Sequence, residues 1–472
     1  MAENLKTELC IIGASAAGLE MAILASQKFP NVVLIDSRPL SRILSCNPHL
    51  QSASLSRAAG VQYYAKMYKE KGAGVSAAKA NFAKLNKWIE DLESGTQFDV
   101  TAKDLAEIGI TYIRGQAKFT GKETVQVDQQ TIKAKKFIVC SALQFDVPNI
   151  PGLNSVKYTL PDSAFAPPVN MKKLIILGHD RLAVEAAQTY KRLGIDVYIL
   201  GLDEGLLPNF SEQNQQKVSD VLIAEKIDVV KSALVLKVGK SKAGIKVDYQ
   251  TNKGKKTSVT GSHLFVSPTV DHGYDALDLS VAGVKTLALD FRQRSQDNSS
   301  IYFMGPQFNH FPDKSQLDFY ADHVVRNAIM GTSVYRDDLQ QIRSVFMDPE
   351  IIELGYTVEQ AMVKFKDVRV VSLMPDSYTL LQDCVRPAPS IQAIIARFGV
   401  VVGVSIQGPG AREHALAWSL CLSRRKRLSW FLNGFAPYPS LGIYPKQLAQ
   451  MDEFENPTLL RKAITFLRKI FP

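Results

Sequence analysis

The sequence predicts an α/β fold with two Rossmann-like dinucleotide-binding domains and a C-terminal α+β domain. Three observations predict it. The stretch "LKTELCIIGASAAGLEMAILASQKFPNVVLID" holds an apolar run ending at Ile12, a glycine turn, a helical segment over about Ala16 to Ser26, and a second apolar run ending on Asp36. The stretch "KKLIILGHDRLAVEAAQTYKRLGIDVYILG", residues 172 to 201, repeats that order. From about Phe346 onward the chain carries its own pattern of strands and helices. Short apolar runs bounded by glycine mark buried parallel strands, and each of the first two stretches forms a βαβ unit. Two such units well apart point to two nucleotide-binding-type domains.

Each element has a local reason. The helix after Gly13 is rich in small and apolar residues. "SRILSCNPHLQSASLSRAAG" sets Asn47 as an N-cap and Pro48 as the first helical residue. Cys46 then lies just ahead of a helix N-terminus, whose positive end favours thiolate. "GITYIRGQAKFTGKETVQVDQQTIKAKKFIVCSA" is a succession of short strands, and "VPNIPG" is a proline-glycine linker. A further strand set runs from about 228 to 268.

The bulk numbers narrow the function classes. At 472 residues, 46% hydrophobic and 22% charged, the chain is an ordinary globular protein of several domains. Five cysteines (10, 46, 140, 384 and 421) are scattered without a CxxC pair, so neither a disulfide framework nor a zinc site is expected, and a reducing, cytoplasmic setting is. The first strand begins within eight residues, so no signal peptide is expected, and no run of eighteen apolar residues occurs. The net charge of +10 invites an anionic partner. It is dispersed apart from "RRKR" at 424 to 427 and the last dozen residues, and nothing in it resembles a nucleic-acid motif.

The order of these elements resembles the FAD-dependent pyridine nucleotide-disulfide oxidoreductases, a family that includes dihydrolipoamide dehydrogenase, glutathione reductase and mercuric reductase. The resemblance covers essentially the full length. It is carried by "GASAAG", "GQAKF...ETVQV...AKKFIV", "VPNIPG", "GHDRLAVEAA" with Glu185, "IYFMGP", "VFMDPEIIELGYTVEQA" and "VVGVSIQGPGAREHALAWSL". It implies a flavin disulfide reductase fold and a homodimer. It also implies a discontinuous FAD-type domain at 1–152 and 275–342, an NAD(P)-type domain at 153–274 and an interface domain at 343–455; the residues at 456–472 themselves read as a basic amphipathic tail.

Several family positions are changed. Laid on the disulfide motif C-x-x-x-x-C-x-P-S-K, Cys46 and Pro48 match, while Ser41 replaces the first cysteine and Leu50 the lysine. A dithiol-disulfide cycle therefore cannot run here, and Cys46 is left as a single candidate redox centre. Gly13 and Gly18 keep the first and third places of G-x-G-x-x-G, Ser15 takes the middle one, and Asp36 is positioned to accept from a ribose hydroxyl. The family's A-T-G turn is Cys140-Ser141-Ala142, and its G-D pair is Gly305-Pro306, which removes a carboxylate aimed at the ribityl chain. FAD is the candidate cofactor, with Gly13, Ser15, Gly18, Asp36 and Gly305 as its candidate contacts.

NAD(P) in the usual mode is not expected. In "GHDRLAVE" the middle glycine is Asp180, a carboxylate where a diphosphate belongs and a good N-cap for its own helix. "DVYIL" ends on Gly201, without an acid. The family's H-P-x-x-x-E is "YPSLGI", so Tyr438 and Ile443 replace the proton-shuttling histidine and its glutamate. His49, three residues past Cys46, is best expected as a surface histidine. In the tail, Leu460, Ile464, Leu467 and Phe471 share a helical spacing with Arg461, Lys462, Arg468 and Lys469 mostly elsewhere. Such a helix suits either an anionic membrane surface or the protein's own flank. The expected function is that of a reductase relative that has lost the standard reaction. The alternatives are an active FAD-dependent oxidoreductase using Cys46, or a peripheral membrane protein using its basic tail.

Overall fold

The computed structural model describes residues 4–40, 48–75, 79–96, 100–140, 144–202, 205–305, 314–330, 341–373, 389–437 and 440–455. Cys46 and the 456–472 tail lie outside these residues.

The first sheet starts with β1 (Asn4–Ile12), β2 (Val32–Asp36), β3 (Ile110–Arg114), β4 (Ala117–Gly121), β5 (Thr124–Val127) and β6 (Gln130–Val139). Their order is β3-β2-β1-β6-β5-β4. Strands β3, β2, β1 and β6 run parallel, and β4, β5 and β6 form an antiparallel meander. Alternate residues of β1 enter different cores. Leu9 and Ile11 pack with the helix Ala16–Ser26 and the helix Lys314–Met330, while Cys10 and Ile12 pack on the face shared with β4 and β5. Burial on both faces explains why β2 reads as a continuous run, with all five residues inside.

Strand β7 (Gln144–Asp146) leads into the second sheet, made of β8 (Lys173–Leu177), β9 (Asp196–Leu202), β10 (Asp228–Ser241), β11 (Gly244–Thr251), β12 (Lys256–Gly261) and β13 (His263–Val266). The order is β12-β11-β10-β9-β8-β13, again a parallel core extended by an antiparallel meander. Strand β9 runs one residue past the expected end at Gly201. Strand β14 (Thr269–Asp271) pairs with β7 in a two-stranded crossover, and β15 (Ile301–Phe303) returns to the first sheet parallel to β6.

The helix Arg181–Arg192 is buried at every position from Arg181 to Tyr190. The helix Pro48–Glu70 packs against it, where the hydroxyls of Ser56 and Thr189 lie 2.7 Å apart. The last unit is an antiparallel sheet of β16 (Ile342–Val345), β17 (Ile351–Gly355), β18 (Val368–Leu373), β19 (Ser390–Ala396) and β20 (Val401–Gln407), in the order β16-β17-β20-β19-β18. The helix Ala411–Ser423 covers it through the fully buried Trp418. Arg424 caps the end of that helix, and Arg424 to Arg427 are exposed in the turn that follows it. Glu353 bonds this unit to the N-terminus of the helix Glu212–Ala224. It accepts from the backbone and hydroxyl of Ser211 and from Asn214 Nδ2, and it pairs with Arg343 Nε at 3.1 Å.

Candidate active site: two dinucleotide crevices

The first crevice lies at the carboxyl ends of β1, β6 and β15, where ligands of open α/β sheets bind. Gly13 adopts φ +107° and donates to Ile35 O at 2.7 Å, which makes the tight turn. A Cβ on Gly18 would fall 1.9 Å from Gly13 O, so only glycine fits there. Ser15 caps the helix, its Oγ accepting from Gly18 N at 3.2 Å. The same hydroxyl lies 3.3 Å from Cys140 Sγ, which is 3.6 Å from Met304 Sδ. Burial pushes the Cys140 thiol up to about 11, partly offset by the Ser15 contact. This cysteine is a packing group rather than a nucleophile at neutral pH.

Asp36 is more occupied than the sequence implies. Its Oδ2 accepts from Ala14 N at 2.7 Å and from Arg38 Nη2 at 3.1 Å, and its Oδ1 accepts from Arg38 N and Nε. A carboxylate offers about four lone-pair sites, and all four are used. Arg38, half exposed, and Ala14 therefore take the acceptor sites a ribose hydroxyl would use. The i to i+2 spacing of Asp36 and Arg38 is an Asx-turn signal that sequence reasoning missed.

Gly305, two residues past the end of β15, has φ +134°. A Cβ there would meet His272 Nδ1 and Tyr274 Oη, each at 3.1 Å. The rings of His272 and Tyr274 are nearly parallel, with centroids 5.2 Å apart. The Tyr274 hydroxyl is buried and has no hydrogen-bond partner among the described residues. Neither residue carries a local sequence signal. The glycine cradle and this orphaned hydroxyl fit FAD. Gly13, Ser15 and Gly18 would hold its diphosphate, and Gly305 with its neighbours its flavin half.

The second crevice is built differently. Asp180 is the N-cap of the helix Arg181–Arg192, and its Oδ1 accepts from Ala183 N at 3.0 Å and from Ser267 Oγ at 2.7 Å. The helix end that would face a diphosphate is satisfied by a carboxylate of the same chain. One turn on, Glu185 is fully buried. It accepts from Ser52 Oγ at 2.6 Å, Phe346 N at 2.9 Å and Arg181 Nη1 at 3.1 Å. Burial raises its carboxyl above the ordinary range, with Arg181 opposing. The loop after β9 folds back so that Leu207 N donates to His179 O at 2.6 Å. At Gly201 a Cβ would lie 2.6 Å from Lys231 O, so this backbone has no room for the missing acid.

Cys46, Ser41, Ser141, Ala142, Pro306 and Tyr438 lie outside the described residues, as do the side chains of His49 and Leu50. Ile443 closes a short turn, Leu441–Ile443. Among the described residues no group of three His, Cys, Asp or Glu side chains is placed to hold a metal, and no helix is long and apolar enough to cross a membrane.

The family model described as pyridine nucleotide-disulphide oxidoreductase matches residues 7–305. The mercuric reductase of Staphylococcus aureus is 24% identical over 447 residues, covering 91% of this chain and 80% of that protein. The dihydrolipoyl dehydrogenase of Geobacillus stearothermophilus is 23% identical over 465 residues, covering 95% and 96%. The structure of the HOCl-induced flavoprotein disulfide reductase RclA from Escherichia coli superposes with a TM-score of 0.74 at 19% identity, covering 94% of this chain and 99% of that one.

Proposed function

The chain belongs to the pyridine nucleotide-disulphide oxidoreductase family, and we propose that it is a flavin-binding member that no longer runs the standard NAD(P)H-to-disulfide reaction. It serves instead as a dimeric binding or regulatory protein. The observation that carries this is Asp180. Its carboxylate takes the helix N–H and the Ser267 hydroxyl that would otherwise face a diphosphate. Like charges in a half-dry cleft repel, so NAD(P) is excluded by the same group that stabilises the apo helix. The loss of one cysteine (Ser41) and of the histidine-glutamate pair (Tyr438, Ile443) agrees with it. Calorimetric titration with NADH and NADPH tests the reading: no heat of binding at millimolar nucleotide is expected, and micromolar affinity would overturn it.

A second reading, an active FAD-dependent oxidoreductase using Cys46 alone, draws support from the intact Gly13–Gly18 cradle. Flavin with a rapidly alkylated Cys46 would favour it. The homodimer is supported by an apolar hollow of about 310 Å³ lined by Ala417, Trp430, Phe431, Phe435 and Pro445, with Phe435 97% exposed. Attachment to an anionic membrane through 456–472 rests on the sequence pattern alone. Equal liposome sedimentation with and without that tail would remove it.

A further inference from the structure

Buried polar groups almost always have partners, so one without calls for an explanation. Tyr274 Oη is such a group among the described residues. Its ring is held on two sides, nearly parallel to His272 at 5.2 Å and edge-on to Phe303 at 5.5 Å. The hydroxyl sits over Gly305, where a Cβ would come within 3.1 Å of it. Gly305 follows β15 by two residues, and β15 pairs with β6 on the side away from β1 and β2. Asp36, at the end of β2, marks the adenosine half of a dinucleotide laid across the carboxyl ends. The end of β15 therefore faces the other half. Pro306, the next residue in the sequence, offers neither a carboxylate nor an N–H.

We propose that Tyr274 is a flavin-binding residue whose hydroxyl donates to an oxygen of the FAD chain between the diphosphate and the ring. This rests on the FAD reading above. It places a polar contact on the segment after β14, replacing one the β15 end lacks.

The test is flavin-fluorescence quenching on the flavin-stripped full chain, wild type and Tyr274→Phe, with ADP titrated in parallel. Tyr274→Phe is expected to weaken FAD by roughly tenfold, the effect of one lost hydrogen bond. ADP affinity is expected to stay unchanged, because ADP reaches only the adenosine half. The flavin-free variant is expected to melt no lower than wild type, since the deleted hydroxyl had no partner to lose. Equal FAD affinity in both proteins would overturn the role of Tyr274 while leaving the FAD reading intact. A parallel loss of FAD and ADP affinity with a lower melting temperature would assign Tyr274 a structural role and overturn the proposal. Absence of FAD binding to the wild type would overturn both.

Discussion

The Ser267 hydroxyl donates to Asp180 Oδ1 at 2.7 Å, joining the loop after β13 to the N-cap of the helix Arg181–Arg192. With the Ala183 N–H on the same oxygen, the carboxylate has partners from both its own helix and that loop. Asp180→Ala is expected to cost about 1 kcal/mol of stability, the usual loss of a side-chain cap. Asp180→Gly is expected to cost only a few tenths from capping, because glycine suits a cap, and to raise affinity for NADH. Thermal melts and nucleotide titration of both variants check this.

Glu353 holds the C-terminal sheet to the helix Glu212–Ala224 through Ser211 and Asn214, and pairs with Arg343 on the neighbouring strand of its own sheet. Glu353→Ala leaves Arg343 buried without its carboxylate. Breaking a buried pair from one side costs about 3–5 kcal/mol. Denaturant unfolding should show a lower midpoint, with the C-terminal unit separating in an earlier transition.

The described cysteines should be inert. Cys10, Cys140 and Cys421 are buried, and burial raises all three thiols. Iodoacetamide at neutral pH followed by peptide mapping should leave them unlabelled in the native protein. Cys140 also gives a pH dependence. Its folded value of about 11 lies above the ordinary 9.0, so the unfolded chain loses this proton first. The linked stability is complete below pH 9 and is lost as pH rises to about 11, an effect on the order of 2 kcal/mol. Denaturation midpoints across that interval should fall more steeply for wild type than for Cys140→Ala.

Phe435 is almost fully exposed beside Trp430 and Phe431. If this hollow meets a second copy, Phe435→Glu should shift the chain from dimer to monomer in sedimentation velocity without lowering secondary structure. An unchanged sedimentation coefficient would place the contact elsewhere.

The parts of the structure set by short-range rules were legible in the sequence. The helix Ala16–Ser26, the end of β2 at Asp36 and the capping by Asp180 each follow from residues within one turn or strand. The parts built from distant residues were not. Glu185 is held by Ser52 and Phe346, 133 and 161 residues away, and Cys140 meets Ser15 across 125. No periodicity encodes such pairs. Tyr274 carries no local signal, because only the return of β15 to β6 sets Gly305 beneath its hydroxyl. The Asp36–Arg38 contact is the exception, a local pair whose two-residue spacing the sequence does display.

The most direct measurement is the visible spectrum of the FAD-reconstituted protein before and after anaerobic addition of NADH or NADPH. A flavin band that persists in millimolar nucleotide and bleaches with dithionite is expected, since the proposal keeps the glycine cradle for flavin and sets the Asp180 carboxylate against the nucleotide diphosphate. Bleaching within seconds of adding NADH or NADPH would contradict this and return the protein to the ranks of working reductases.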